Sequence, residues 1–254
     1  MTTALITGAT AGIGAEFARQ LAARGDDLVI VARDADRLAR AAAALQHEFG
    51  VKVEAIPADL LSAEGLAAVD ARLADRRRPV DLLVNNAGYG IRGELDENSF
   101  DDEKRHLDIH VTVPLQLTQT ALRVMVERGR GRIVLISSVA AFTPRGTYSA
   151  AKAWGVMFAR GANLVYRSRG VSVTAVCPGF VRTEFHDRMK VGTSGIPPFL
   201  WLQAPTVVRL ALRGIDRRRS VVIPTVRYRV IAGLARVLPD RLGAAGRFSS
   251  REGD

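Results

Sequence analysis

Cysteine is nearly absent from this sequence. Cys177 is the one thiol in 254 residues, which excludes a disulfide framework and a cysteine-based zinc site. Lysine is scarce as well: Lys52, Lys104, Lys152 and Lys190 are the only four, so arginine carries most of the formal net charge of +10. No apolar run approaches the ~20 residues of a membrane span. The start, Met1-Thr2-Thr3-Ala4-Leu5-Ile6-Thr7, lacks the charged segment and cleavage site of a signal peptide. Internal repeats, low-complexity tracts and interdomain linkers are also missing. These absences predict a soluble, cytoplasmic chain folded as a single domain over 1–254. What is present, 48% hydrophobic and 24% charged residues, matches an ordinary globular protein able to bury a sizeable core.

The charge is lopsided. From Pro205 to Asp254 there are 11 arginines against four acids, a net of +7 that leaves +3 for the rest. A basic C-terminal region can attract anionic lipid, nucleic acid or an acidic partner, or simply be a solvated face.

Short β-branched runs alternate with longer helical patterns over the first two-thirds of the chain. Strands are expected over 4–7, 28–31, 52–56, 82–84, 132–137, 172–176 and 220–223. Helices are expected over 12–24, 34–49, 62–76, 100–128 and 147–167, with Asp34 opening the second and Gly50 ending it. Such alternation implies right-handed crossovers and a doubly wound α/β fold, a Rossmann-type parallel sheet with helices on both faces. After Pro178 the pattern loosens. Phe199-Leu200-Trp201 reads as an apolar cluster in a loop or short helix. Val230, Ile231, Leu234, Val237 and Leu238 lie at helical spacing over 226–238, with Pro239 as the stop.

The first strand leads directly into Thr7-Gly8-Ala9-Thr10-Ala11-Gly12-Ile13-Gly14. Glycines there let the backbone turn sharply and approach a pyrophosphate at a helix N-terminus, although three glycines also suit a purely structural turn. The second strand ends at Ala32-Arg33, where many dinucleotide folds place an acid for the ribose hydroxyls. Arginine there can grip a 2′-phosphate, which favours NADP(H) over NAD(H), or it is a surface residue. Asp59, followed by Leu60, either accepts a hydrogen bond from an adenine amino group or caps the next helix. Asn85-Asn86-Ala87-Gly88 closes the fourth strand, with Gly88 leaving room for a ligand; by itself it is a turn signal.

In Tyr148-Ser149-Ala150-Ala151-Lys152 the phenol and ammonium lie four apart on one helical face. A free phenol has a pKa of ~10, and a cation within ~4–6 Å can lower that by ~1–3 units. Ser137-Ser138 ends the fifth strand, with Ser138 ten positions before Tyr148. His106 and His110 also sit four apart on a helix. With no third ligand in a recognisable pattern, no metal is expected. Cys177 reads as a buried small apolar residue.

Taken in this order, Thr7–Gly14, Asp59, Asn85–Gly88, Ser138, Tyr148/Lys152 and Pro178-Gly179-Phe180-Val181-Arg182-Thr183 resemble the short-chain dehydrogenase/reductase family over roughly 3–190. The resemblance implies an NADP(H)-dependent oxidoreductase of CH–OH and C=O groups. It places Gly8, Thr10, Gly12, Ile13, Gly14, Arg33, Asp59, Leu60, Asn86, Ala87 and Gly88 around the cofactor. Pro178, Gly179, Val181 and Thr183 would lie at its carboxamide end. Ser138 would polarise the substrate oxygen and Tyr148 would act as acid/base. Lys152 would hold the nicotinamide ribose and lower the phenol's pKa. The substrate-specificity region would be about 180–204, with the basic region 205–254 part of the same domain.

Two departures from the family pattern stand out. His110 occupies the place where the family usually has an asparagine. The step from Ser138 to Tyr148 is about three residues shorter than is common in relatives, trimming the segment 139–146. Phe180, Phe185, Ile196, Phe199, Leu200 and Trp201 form either an apolar wall for a lipophilic substrate or ordinary core. A non-catalytic NADP(H)-binding sensor or scaffold is the competing function. The resemblance also implies a homodimer or homotetramer. No nucleic acid is expected, and membrane contact through 226–238 is the less favoured role of the last helix, against packing on its own domain or a subunit interface.

Overall fold

The computed structural model describes residues 2–91, 93–183 and 197–236. Apolar runs become β1 (Thr3–Thr7), β2 (Asp27–Ala32), β3 (Val53–Pro57), β4 (Leu82–Asn85), β5 (Gly131–Ile136), β6 (Val171–Val176) and β9 (Val221–Val222). They form one sheet in the order β3-β2-β1-β4-β5-β6-β9, and every neighbouring pair is parallel. This is the doubly wound Rossmann-type sheet that the alternation predicts. The order reverses between β1 and β4, so the carboxyl ends of those strands open a crevice suited to a ligand.

The helices are α1 (Gly12–Ala22), α2 (Ala35–Phe49), α3 (Ala63–Ala74), α4 (Phe100–Leu107), α5 (Val113–Glu127), α6 (Gly146–Tyr166), α7 (Ala204–Asp216) and α8 (Val226–Ala235). Side chains alternate along the strands and feed two cores. Leu5, Val29 and Val31 join Val69, Leu73, Leu117, Met125, Val156 and Ala159 on one face. Ala4, Ile6, Leu28 and Ile30 join Phe17, Leu21, Leu38, Leu45, Leu212 and Ile215 on the other. Local signals work as expected at α2: Asp34 accepts from the Arg37 N–H at 2.9 Å, and Gly50 ends the helix at φ +69°.

Three differences from the expected elements have physical causes. The single helix over 100–128 is broken by a π-helical turn, Asp108–Thr112, between α4 and α5. Pro114 brings no N–H to the carbonyl of His110, so the ladder opens there, and the Val113 N–H reaches back to Asp108 instead. The helix α7 was not expected, although Val207, Val208, Ala211, Leu212 and Ile215 are spaced for one buried face. Finally, α8 faces the opposite way from its apolar spacing. Tyr228 and Ala232 are buried while Val226, Val230, Ile231 and Leu234 are exposed. Phe185, Ile196, Val237, Leu238 and Pro239 lie outside the described residues.

A small parallel pair, β7 (Val181–Arg182) with β8 (Leu202–Gln203), leaves the sheet's carboxyl edge. Val181, Leu202, Val207 and Tyr228 form a third apolar cluster beneath it. Tyr228 holds both sides of this segment: its hydroxyl accepts from the Phe180 N–H at 3.1 Å and donates to the Leu200 carbonyl at 2.8 Å. Its ring fills the space beside Gly179, where an added Cβ would lie 2.0 Å from the ring.

Candidate active site

The glycine turn is fitted to Asn86. The Asn86 amide donates to the carbonyls of Thr7 and Gly8 at 2.9 and 3.1 Å. The Thr7 hydroxyl in turn accepts from the N–H groups of Asn86 and Ala87, both at 3.0 Å. A Cβ on Gly14 would sit 2.2 Å from the Gly8 carbonyl, so only glycine lets α1 start this close to the end of β1. No side chain caps α1 and its first turn carries no acid. The N–H groups there, with the positive end of the helix dipole, suit an anionic group. Thr183 lies against Gly12, with its Cβ 3.1 Å from where a Gly12 Cβ would be.

The other cofactor candidates fall at the same edge with differing freedom. Arg33 is exposed just beyond β2, and Thr10 and Ile13 are half-buried in the turn. Asp59 does not cap α3; Ser62 does, accepting from the Gly65 N–H at 3.0 Å. One Asp59 oxygen instead accepts from the Leu61 N–H at 3.1 Å. Leu60, Pro178 and Val181 are buried, so their side chains serve the interior. Gly88 differs from the expectation. The space its missing Cβ leaves is taken by the His110 ring, whose Cε1 would lie 2.3 Å away, and not by room for a ligand.

Tyr148 and Lys152 stand one turn apart on α6, with the ammonium nitrogen 5.6 Å from the phenol ring centre. Ser138 follows β5; its hydroxyl accepts from the Ala140 N–H at 3.1 Å and lies near enough to the phenol to favour its ionised form. Ser137 is structural: its hydroxyl donates to the Lys152 carbonyl at 2.7 Å. The ammonium of Lys152 donates to the Ile136 carbonyl at 3.0 Å and to His110 Nδ1 at 3.1 Å. His110 Nε2 is 2.7 Å from the Tyr89 carbonyl. A carbonyl only accepts, so Nε2 carries the proton and Nδ1 offers its lone pair to the lysine.

The electrostatics correct one expectation. Burial pushes the Tyr148 phenol up to about 12, and the nearby Ser138 hydroxyl pulls the other way. Burial also brings Lys152 down to about 8. The lysine directs its protons to Ile136 and His110, and its charge does not offset the burial of the phenol. Burial and the neighbouring lysine hold His110 well below the usual histidine range, keeping it neutral. His106 is fully buried, its ring centre 4.6 Å from that of His110. Both nitrogens of His110 are engaged, so the pair presents no ready metal-binding edge. Burial pushes the Cys177 thiol up to about 12, as for a small core residue.

Neither the lysine–histidine contact nor the roles of Tyr89 and Tyr228 were legible in the sequence. Gly88 three residues after β4 and Pro114 four after His110 are the only signals that touch them. The packing makes a prediction. Gly88→Ala should lower stability by about 1–3 kcal/mol, read from urea melts; an unchanged midpoint would show that the imidazole moves aside freely.

A profile of the short chain dehydrogenase family matches residues 2–192. The ketoacyl reductase HetN of Nostoc sp. is 35% identical over 228 residues, covering 87% of this chain and 77% of that protein. A short-chain dehydrogenase from Sphingobium yanoikuyae, solved in complex with NADPH, superposes with a TM-score of 0.85 at 35% identity, covering 100% of this chain and 99% of that one. The bulky-bulky ketone specific alcohol dehydrogenase from Comamonas testosteroni gives a TM-score of 0.81 at 31% identity, over 100% and 97% of the two chains. With this match, the shared sheet and the site at its carboxyl edge, the chain belongs to the short-chain dehydrogenase/reductase family of NAD(P)-binding oxidoreductases.

Proposed function

We propose that this protein is an NADP(H)-dependent reductase that interconverts a carbonyl and an alcohol on a lipophilic substrate, with Tyr148 as acid/base. The observation that carries the reading is the meeting of Ser138, Tyr148 and Lys152 at the sheet edge that also holds the glycine turn. The turn suits a dinucleotide: its glycines let α1 start against the end of β1, and the first turn of α1 is uncapped. Gly8, Thr10, Gly12, Ile13 and Gly14 would hold the pyrophosphate, Arg33 the 2′-phosphate, and Asp59 and Leu60 the adenine side. Asn86, Ala87, Gly88, Pro178, Gly179, Val181 and Thr183 would shape the nicotinamide end, and Lys152 would bind its ribose. The bound cofactor supplies a hydride.

The chain's own part is to manage charge on the oxygen. Ser138 and Tyr148 donate hydrogen bonds to the carbonyl oxygen, and Tyr148 gives up its proton as negative charge develops there. A phenol held near 12 is fully protonated at neutral pH and is therefore ready for the reductive direction. Lys152, fixed by Ile136 and His110, holds a positive charge near the phenolate that results.

The pH dependence follows from Lys152. Its charge is present below about 8 and lost above it. Reductive kcat/KM should be level from pH 6 to 7 and decline through an apparent pKa near 8. His110→Leu, which removes an acceptor from the ammonium, should move that decline to lower pH. A profile level to pH 10 in the wild type would refute this role.

Phe180, Leu200 and Trp201 support a lipophilic substrate, although Phe180 and Leu200 also pack on the Tyr228 cluster. A ketone panel assayed with NADPH tests the class; preference for small polar sugars would overturn it. Exposed Leu115, Met157 and Leu164 on α5 and α6 support a homo-oligomer. Among the described residues no helix is long and apolar enough to cross a membrane.

A further inference from the structure

The basic excess of the C-terminal region is concentrated in 205–236, which holds eight arginines and one acid, Asp216. That acid is engaged elsewhere: it pairs with Arg24 at 3.1 Å and Arg132 at 3.0 Å. Between α7, β9 and α8 lies an open cavity of about 420 Å³ with Arg213, Arg217, Arg219, Arg229 and Arg236 around it and, among the described residues, no carboxylate in its wall. None of the five forms an ion pair among the described residues. Arg236 also lies over the Phe142 ring, 4.3 Å from its centre. The floor is apolar, with Leu210, Val221 and Ile223.

Ordinary structural reasons do not account for this gathering. Arg213 and Arg217 at the end of α7 complement the negative end of its dipole, but Arg229 lies near the start of α8, where a cation is disfavoured. The turn after α7 puts Arg218 at φ +54°, a position that favours glycine. Of the three successive arginines in this turn, Arg217 and Arg219 line the cavity and Arg218 does not. A Cβ on Gly214 would meet Val222 at 2.4 Å, so α7 is pressed on β9 and the floor is fixed. Five cations around one cavity repel one another, and a multiply charged anion relieves all of the pairs together.

We infer that this cavity is a binding site for a phosphate ester with an apolar portion, separate from the site that holds Tyr148. Arginines that line one cavity from α7, the turn after it and α8 match the several acceptor oxygens of a phosphate, where a lone carboxylate would engage one or two of them. The apolar floor takes the carbon skeleton. Such an ester is either a soluble metabolite or a lipid headgroup, and the exposed Val226, Val230 and Leu234 stripe on α8 lies on the same helix as Arg229.

The test uses the whole chain and two probes. Inorganic pyrophosphate is titrated calorimetrically in the presence of saturating NADPH, which keeps the glycine turn occupied. Phosphatidylglycerol and phosphatidylcholine vesicles are sedimented with the protein at physiological salt. Arg219→Glu/Arg229→Glu should weaken pyrophosphate binding roughly tenfold or more, while Arg40→Glu/Arg123→Glu, with the same change of charge on α2 and α5 and outside the cavity lining, should not. Vesicle binding that is selective for phosphatidylglycerol and lost in the cavity variant assigns the ester to a bilayer; pyrophosphate binding without vesicle binding assigns it to a soluble ligand. Absence of pyrophosphate binding, or equal weakening in both double variants, overturns the site. If the protein takes up no NADPH, the reading of the glycine turn fails, while the comparison of arginine variants still decides the cavity.

Discussion

Tyr148→Phe should lower turnover roughly a thousandfold or more and leave the affinity for NADPH close to that of the wild type. The substitution removes one oxygen. With it go the proton that the product alcohol needs and one of the two hydrogen bonds to the developing oxyanion. The ring remains to pack against His106 and His110, whose ring centres are both 5.9 Å away, so the fold should survive. Steady-state ketone reduction gives the first quantity and fluorescence titration with NADPH the second. Wild-type-like turnover in this variant would remove the acid/base assignment, and a matching loss of NADPH affinity would make Tyr148 a binding residue instead. Activity in the wild type with any ketone also excludes a non-catalytic sensor.

Arg33→Asp should weaken NADPH binding by about a hundredfold and leave NADH binding little changed or improved. The side chain is exposed at the end of β2, on the carboxyl edge of the strand beside the glycine turn. A guanidinium there forms charge-assisted bonds to a 2′-phosphate, and a carboxylate repels it while accepting from the two ribose hydroxyls of NADH. Because the residue is exposed, stability should be almost unaffected, which separates a lost contact from a damaged fold. Dissociation constants for both reduced cofactors decide the matter. Tighter NADH than NADPH binding in the wild type would refute the preference.

Much of the fold was open to reading because its signals are local. Buried parallel strands need continuous apolar runs, and β1, β2, β4, β5 and β6 have them. Asp34 and Gly50 mark the ends of α2 through their own backbone preferences. The weak points were those where one element's shape depends on another. Pro114 breaks the long helix only by what it withholds from His110, and α8 turns Tyr228 inward because Gly179 and the carbonyl of Leu200 are there to meet it. Gly88 looked like space for a ligand, and the space belongs to an imidazole.

The order of motifs along the chain determined the family and the sheet and singled out Ser138, Tyr148 and Lys152 as candidates, since each is tied to a strand end or a helical face by short-range geometry. Only the folded molecule decided the state of those groups. Desolvation depends on every neighbour, so a phenol near 12 and a lysine near 8 could not come from spacing alone. The lysine–histidine contact and the arginine-lined cavity likewise join residues far apart in the sequence, and only the packing of helices on the sheet brings them together.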